Sequence, residues 1–367
     1  MNPIVPFNPG ARDAAFMERA LLLAERGRGR TSPNPMVGAV VVSPTGIVVG
    51  QGAHLAAGGR HAEVHALDDA GPRARGATLY CTLEPCCHVG RTGPCVERIV
   101  AAGAARVVVA TRDPNPRVAG GGVAYLRARG VEVDEGLGGE VAARQNAAFF
   151  TWITKRRPFV ILKVALSQDG FVGRADRRVK LTGPSADRWF QRQRAEIDAI
   201  AVGSGTVLVD DPELTAREVY RYRPLTRVLF DGRARIPASA RVFSTLAAGP
   251  VIMIVSSQTG RAQDARVTSL EDRGVIVERI DDRNLPLAMA RLADRGILSL
   301  LVEGGPTLQA AMADAGLVDR VQRVAVPGWL GDGVPAPPIA RIAPDRPSRT
   351  LRLGEDTLSE FDVHRTD

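Results

Sequence analysis

Apolar residues fall into two rhythms along this chain, a 3.6-residue period and short continuous runs, and their alternation predicts an α/β protein. Residues 11–26 carry Met17, Ala20, Leu21 and Ala24 at i, i+3, i+4 and i+7 and stop at Gly27, the pattern of an amphipathic opening helix. "VGAVVV" (37–42) and "IVVG" (47–50) flank the turn residues "SPTG" and predict a β-hairpin. Helix and strand patterns then alternate through "HAEVHALDDAG", "ATLYCT", "CVERIVAAG", "ARVVVAT", "GGVAYLRARG" and "VEVDEG". These segments give a first domain over residues 1–148, followed by a junction at 149–158. A second domain, 159–367, is expected from six further strand patterns, "VILKVAL", "IDAIAVG", "TRVLFDG", "PVIMIVS", "GVIVERI" and "ILSLLVEGG", most of them separated by helical stretches. The Pro-rich stretch 333–347 reads as a loop before a final short strand region.

Composition narrows the class. With 367 residues, 45% hydrophobic and 24% charged, the chain is long enough for two globular cores. No apolar run reaches the roughly 18–20 residues of a membrane span, and the first residues lack a signal-peptide pattern, so a cytoplasmic protein is expected. The net charge of +8 comes almost wholly from Arg, since Lys stands only at 155, 163 and 180, and no basic block occurs. Such a pattern fits a coding bias or small anionic ligands better than nucleic acid.

The chemistry is concentrated. Of five His and four Cys in the chain, three His and every Cys lie between residues 61 and 95. In a reduced compartment that crowding points to a metal rather than to disulfides. His61 and Glu63, two residues apart, cannot share a lateral helix face and converge only at a helix end. Gly58 and Gly59 let the chain turn into a helix at His61, and Pro94 favours a second helix start at Cys95. Two helix N-termini facing one point would gather His61, Cys86 and Cys95, and would favour the thiolates. An N, S, S set leaves a fourth zinc position open, where bound water becomes acidic near neutral pH and Glu63 can carry the proton. This is the H-x-E plus P-C arrangement of the zinc deaminases. Other readings remain at this level: a His61/His65 protease pair, which lacks the required Glu at Ala62; a structural site using Cys81, Cys86, Cys87 and Cys95; and a metal-free core cluster. His65 reads as a helix-face residue and Cys81 as a buried strand residue.

The strings "SPNPMVGAVVV", "HAEVHAL", "EPCCHVGRTGPC" and "DPNPRVAGGG" closely resemble the bifunctional riboflavin-biosynthesis deaminase/reductase family. In the second half "LKVALSQDG", "GTVLVDDPELTAR" and "LVEGGPTLQAA" carry the same resemblance. It implies an N-terminal cytidine-deaminase-like α/β/α zinc domain and a C-terminal dihydrofolate-reductase-like α/β domain. It implies zinc and NADPH as cofactors, and a diaminopyrimidinone carrying a phosphoribosylamino group as substrate. The first domain would deaminate this compound, and the second would reduce the ribosyl group of the product to ribityl. His61, Cys86 and Cys95 would hold zinc and Glu63 the proton. Asn34, His88, Asp113 and Asn115 would hold base and sugar, with a plain turn role as the alternative.

In the reductase half "GSGTVL" lacks the third Gly of the Rossmann fingerprint, whereas "LLVEGG" before "PTLQAAMADAG" reads as a strand, a Gly-Gly turn and a helix N-terminus suited to phosphate. The resemblance places Ala165, Lys180, Thr206, Asp210, Gly304, Gly305 and Thr307 at the cofactor, and Lys163, Arg194, Leu214, Arg217 and Glu303 at the substrate. The chain departs from the family at Gln168 and Phe171, and at Lys180 where Trp is usual. Expected partners are the phosphorylated pyrimidine and other copies of the chain in a homo-oligomer, with neither nucleic acid nor membrane. Three other functions are left open. One is a nucleic-acid-base deaminase, which needs exposed aromatics that a 5% aromatic content supplies poorly; the others are a deaminase with a silent second domain and a non-catalytic assembly protein.

Overall fold

The computed structural model describes residues 9–88, 93–281, 284–337 and 343–363, in two compact units, Met1–Lys155 and Arg156–Asp367. The first is built on strands β1 (Gly38–Val42), β2 (Val48–Ala53), β3 (Thr78–Cys81), β4 (Arg106–Val109) and β5 (Glu132–Glu135), in the order β2-β1-β3-β4-β5. The hairpin pairs antiparallel and β1 also runs antiparallel to β3, while β3, β4 and β5 are parallel. Its helices are α1 (Pro9–Ala24), α2 (Ala62–Ala70), α3 (Cys95–Ala102), α4 (Gly121–Arg127), α5 (Gly139–Gln145) and α6 (Ala147–Lys155).

Alternation along the strands makes a three-layer α/β/α sandwich. Ala39, Val41, Leu79, Cys81, Val107 and Val109 pack with Ala62, Ala66 and Leu67 of α2, Ile99 of α3 and Leu126 of α4. Val40, Val42, Tyr80 and Val108 point the other way, onto Met17, Ala20 and Leu21 of α1 and Ala142 of α5. The opening helix thus buries the stripe that its periodicity predicts.

Part of the expected junction is helical. Residues 149–155 are helical and belong to the first unit: Phe149 and Thr151 are buried, and Phe150 packs on the α2–α4 core. Asn146, at the bend between α5 and α6, exchanges two hydrogen bonds with the Met36 backbone, at 2.7 and 2.9 Å, and ties this helix pair to the start of β1.

In the second unit lie β6 (Phe159–Leu166), β7 (Phe171–Gly173), β8 (Ala199–Gly203), β9 (Thr226–Phe230), β10 (Val251–Ser256), β11 (Ile276–Ile280), β12 (Ser299–Glu303), β13 (Arg320–Ala325), β14 (Val334–Pro335), β15 (Arg349–Leu353) and β16 (Asp356–Asp362). Among the described residues these form a nine-stranded sheet, β11-β10-β9-β8-β12-β6-β13-β16-β15, parallel from β11 to β13, and a separate β14-β7 pair. Helices α7 (Pro184–Glu196), α8 (Ser204–Asp210), α9 (Arg241–Ser244), α10 (Arg261–Asp272), α11 (Leu285–Asp294) and α12 (Pro306–Asp314) complete it. One face buries Leu162, Val228 and Val302 with Leu292 of α11 and Met312 of α12, and the other buries Ile161, Leu229 and Met253 with Val267 and Leu270 of α10.

The six expected strands are all present. The sequence reading omits β13, whose buried Gln322 donates to Glu360 of β16 at 2.8 Å and breaks the apolar run. Part of the Pro-rich loop forms β14, and residues 338–342 lie outside the described residues. No helix among the described residues is long and apolar enough to cross a membrane.

One packing feature positions the chemistry of the first unit. Helix α2 lies so close to β2 that a Cβ on Gly52 would fall 2.3 Å from the Ala62 carbonyl oxygen, and one on Gly50 2.2 Å from that of Ala66. Only Gly fits under backbone at that distance. Gly52→Ala is therefore expected to destabilise the first unit by about 1–3 kcal/mol, the usual cost of overpacking, and to shift the start of α2. A thermal melt that matches the parent within a degree contradicts this.

Candidate functional site

The two predicted helix starts meet. His61 is the N-cap of α2, in extended conformation, and its ring caps nothing in that helix. Pro94 is the N-cap of α3, so Cys95 stands at the helix's first position. His61 Nδ1 lies 3.2 Å from Cys95 Sγ and 3.5 Å from Cys86 Sγ, and the Cys95 backbone N–H donates to Cys86 Sγ at 3.3 Å. All three donor atoms fall within 4.8 Å of one another. A tetrahedral zinc with bonds of about 2.3 Å to sulfur and 2.0–2.1 Å to nitrogen holds its donors roughly 3.5–3.8 Å apart, so this set fits the ion in both chemistry and spacing.

The two thiols are set apart as a pair that shares one proton, with Cys95 pushed up by its hydrogen bond to Cys86 and by burial. Hydrogen bonding from Cys95 outweighs burial at Cys86 and holds that thiol well below its ordinary pKa, with His61 contributing. His61 is raised, first by its hydrogen bond to Cys86. Glu63, in the first turn of α2 and 3% exposed, is raised by burial against the opposing pull of His61. A carboxyl held above its usual range is matched to carrying a proton.

The competing ligand sets do not assemble. Cys81 is fully buried in the α2–α4 core, where burial pushes its thiol well up. Cys87 turns its Sγ toward the Arg117 carbonyl at 3.9 Å. Neither joins the cluster, and His65 stays on the face of α2.

Around the cluster the sequence reading misses two residues. His54, 2% exposed and held neutral by burial, bonds to the Arg60 carbonyl through Nδ1 at 3.0 Å and to Asn34 Nδ2 through Nε2 at 3.2 Å. It ties the residue before the His61 ligand to the expected base-binding amide. The other is Glu84, whose carboxylate accepts from the backbone N–H groups of Asp113, Gly120 and Val123 at 3.3, 3.0 and 3.1 Å. A Cβ on Gly122 would fall 2.1 Å from the Pro85 carbonyl oxygen, so this loop is drawn tightly onto the segment that carries Cys86.

That loop bears the next candidates. Asp113 is buried, and burial lifts it to about 6 despite the Asn115 backbone N–H that it accepts at 2.8 Å. Asn115 Oδ1 accepts from the Arg117 backbone N–H at 3.1 Å, an Asx-turn, so its carbonyl has the local job that the turn reading foresees. His88 Nδ1 is buried with no hydrogen-bond partner, and its ring acts electrostatically on Asp113. An orphaned nitrogen beside a raised carboxyl is a place where a polar ligand would be bound.

In the second unit every residue expected at cofactor or substrate lines one cavity of about 1200 Å³, above the roughly 300–1,000 Å³ usual for a single small ligand. It opens over the carboxyl ends of β6, β8, β9, β10 and β12. Lys163 and Glu303 are paired across β6 and β12. Glu303 takes two bonds from Arg194, at 2.7 and 3.2 Å, and Lys163 Nζ lies 4.7 Å from the Phe190 ring centroid. Burial would raise Glu303, but the charges of Arg194 and Lys163 bring it down to about 2.

Gly304 and Gly305 have positive φ, and a Cβ on Gly304 would strike Thr206 Oγ1 at 2.5 Å. This backbone-lined notch before α12 presents the free N–H groups of a helix start to the cavity, a surface chemically suited to an anion. Leu214 also has positive φ, at 56°, a strained position for a branched residue on the cavity wall. Of the three departures, only Lys180 lines the cavity, and it pairs with Asp187 at 2.7 Å. Gln168 accepts from Trp329 Nε1, and Phe171 belongs to the β7–β14 pair.

Two family descriptions match the chain: the cytidine and deoxycytidylate deaminase zinc-binding region over residues 11–111, and the RibD C-terminal domain over residues 158–355. The riboflavin biosynthesis protein RibD of Aquifex aeolicus is 42% identical over 331 residues, 88% of this chain and 89% of that protein. That of Escherichia coli is 39% identical over 333 residues, 87% and 89% of the two chains. Among solved structures, a form of Acinetobacter baumannii RibD has a TM-score of 0.86 at 34% identity, and a Thermotoga maritima diaminohydroxyphosphoribosylaminopyrimidine deaminase/5-amino-6-(5-phosphoribosylamino)uracil reductase has 0.85 at 32%. Each covers 97% of this chain and 100% of its own.

Two outcomes are expected. The purified protein should carry one zinc per chain, lost in His61→Ala and Cys95→Ser but kept in Glu63→Gln, and metal analysis by mass spectrometry reads this directly. The second concerns acid stability. Because Glu303 is depressed, its contribution is present above the unfolded carboxyl value of about 4.3 and is lost as pH falls toward about 2. Glu303→Gln should strand Arg194, cost the second unit about 3–5 kcal/mol at neutral pH, and flatten the loss of stability between pH 4.5 and 2 seen by denaturant titration.

Proposed function

The chain belongs to the riboflavin-biosynthesis deaminase/reductase family, and from that premise we propose how its residues divide the two reactions. It is a bifunctional enzyme of riboflavin biosynthesis: a zinc-dependent deaminase in its first half and an NADPH-dependent reductase in its second. The reading of individual residues is carried by one observation, the convergence of His61, Cys86 and Cys95 with Glu63 buried beside them.

Zinc at those three ligands supplies a Lewis acid that makes water acidic enough to act at neutral pH. Glu63 takes the proton that water gives up as its oxygen bonds to the amine-bearing ring carbon, and returns it to the amine, so that the carbon–nitrogen bond breaks and ammonia leaves; its raised pKa suits both halves of that transfer. Asn34, its amide nitrogen fixed by His54, orients the pyrimidine. His88 and Asp113 hold the sugar side, and Asn115 keeps Asp113 in place through its backbone N–H.

NADPH supplies the hydride for the second step. Gly304, Gly305 and Thr307 hold its phosphates, with Ala165, Thr206 and Asp210 along its nicotinamide half. Lys163, Arg217 and the Arg194–Glu303 pair face the phosphorylated sugar, and Leu214 closes against it. An Arg fork matches two phosphate oxygens, whereas Lys163 offers a point charge. Lys180, paired with Asp187 at the cavity wall, stands where its ammonium can also meet an anionic group of the cofactor.

The deaminase domain extends to Lys155 in this reading and the reductase domain begins at Arg156. The partners are the phosphorylated pyrimidine and further copies of the chain, in the cytoplasm, with no nucleic acid.

The test is direct. The parent protein should release ammonia from the diaminopyrimidine phosphate and then oxidise NADPH. Glu63→Gln should lower ammonia release by at least about a hundredfold, the lower end of general acid–base contributions, while still oxidising NADPH when given the deaminated product. Ammonia release at the parental rate in Glu63→Gln would overturn the assignment of the proton carrier.

A further inference from the structure

We propose that Gln322 of β13, oriented by Glu360 of β16, is a positioning residue for Lys163 and gives its ammonium a fixed acceptor on the side away from Glu303. This rests on the reductase reading above, in which Lys163 faces the phosphorylated sugar. It adds two residues that do not line the cavity and that the family resemblance does not supply.

Register puts four polar residues in one row. Glu303 of β12 stands opposite Lys163 of β6, Lys163 opposite Gln322, and Gln322 opposite Glu360. Residues directly opposite each other in a sheet share a face. Their neighbours identify it: Leu162, Val302, Val321 and Phe361, each one position away, lie in the layer of α11 and α12, whereas Ala165, Val324 and Leu358, each two positions away, pack with Ala186 and Phe190 of α7. Neighbouring strands are about 4.8 Å apart, so the side chains of Lys163 and Gln322 are within reach of each other.

Gln322 is fully buried and Glu360 is 5% exposed, in the layer of Val324, Leu358 and Phe190. Gln322 Nε2 donates to Glu360 Oε1 at 2.8 Å, and Arg349 lies 3.9 Å from the other carboxylate oxygen. A carboxylate accepts and does not donate, so the amide must turn its nitrogen to β16. Its oxygen is left for the β6 side, and that oxygen is buried with no hydrogen-bond partner. A buried carbonyl oxygen without a donor costs free energy, and the residue directly across carries three N–H donors on one nitrogen.

Lys163 is prepared for such a partner. Its backbone carbonyl accepts from Gln309 Nε2 at 2.8 Å, beside the point where β12 ends at Glu303 and turns into the Gly304–Gly305 notch. The stem is thus anchored, and only the side-chain torsions remain to be fixed. Nζ lies 4.7 Å from the centroid of the Phe190 ring, which packs in the same cluster as Val324, and its charge also acts on Glu303. Rotation about those torsions brings one N–H to Gln322 Oε1, leaves a second toward Glu303 and aims the third into the cavity. A flexible four-carbon chain loses less freedom on meeting an anion when its head is already held.

Steady-state kinetics of the full-length protein test this, with NADPH oxidation on the deaminated product and ammonia release measured side by side. Gln322→Met/Glu360→Met replaces the buried pair by apolar side chains of similar length, a kind of change that often leaves stability equal or higher. Its thermal melt should match or exceed the parent, while kcat/KM for the deaminated product falls about tenfold, the scale of one hydrogen bond to a charged group. The KM for NADPH and the rate of ammonia release should hold. Glu360→Gln keeps a carbonyl oxygen for Gln322 Nε2 and should retain most of the parental kcat/KM. If the double variant does not fold, Gln322→Met alone carries the same comparison. An unchanged kcat/KM for the deaminated product means that the pair only builds the sheet, an equal rise in the KM for NADPH means that the whole cavity has shifted, and a comparable loss in Glu360→Gln assigns the effect to its charge; each overturns the proposal alone. A parent that oxidises no NADPH overturns the reductase reading and this inference together.

Discussion

Both sites follow from one constraint: parallel strands joined by helices put every strand's carboxyl end, and the helix start that follows it, on the same edge of the sheet. In the first unit β3 and β4 are parallel, so the segments leaving them carry Cys86 and Asp113 to one edge. In the second, β6, β8, β9 and β12 are parallel, and the residues at the carboxyl ends of the last three include Gly203, Asp231 and Glu303, with Lys163 of β6 beside Glu303. Helix N-termini gather there as well, with unpaired backbone N–H groups suited to thiolate and phosphate. A metal site and a dinucleotide cavity are two uses of that edge.

Burial gives the acidic groups of these edges different jobs. Glu303 is kept ionised by two cations and holds Arg194 in the cavity wall. Glu84 stays buried among three backbone donors and acts as the fastening of the Asp113 loop. Glu63 sits under the metal ligands, where burial outweighs the attraction of His61. The same side chain is thus a structural counter-ion, a loop anchor or an acid held above its usual range, according to whether cations, amides or burial dominate its surroundings.

What the sequence makes legible is what depends on nearby residues. His61, Glu63 and Cys95 are readable because the Gly pair, Pro94 and the helical periodicity fix both helix starts locally. His54 and Glu84 escape that reading because their partners are an amide twenty residues away and backbone N–H groups 29 to 39 residues away. The helix at 147–155 and strand β13 escape for the same reason: Asn146 answers to Met36, and Gln322 to Glu360.

The departures from the family illustrate how local compensation works. Gln168 sits in the turn before β7 and bonds to Trp329, while Asp169 beside it accepts the backbone N–H groups of Leu330 and Gly331. Phe171 lies against Gly333, where only Gly leaves room, with a Cβ there falling 3.3 Å from that of Phe171 and 2.4 Å from the Gly173 carbonyl oxygen. The turn and the Trp329 segment therefore fit each other as a pair, and the changes at 168 and 171 are absorbed outside the cavity. At Lys180 the exchange is different: a flat aromatic gives way to a flexible cation whose charge Asp187 takes up and whose side chain stays 64% exposed. The wall at that point keeps its charge balance and loses a stacking surface.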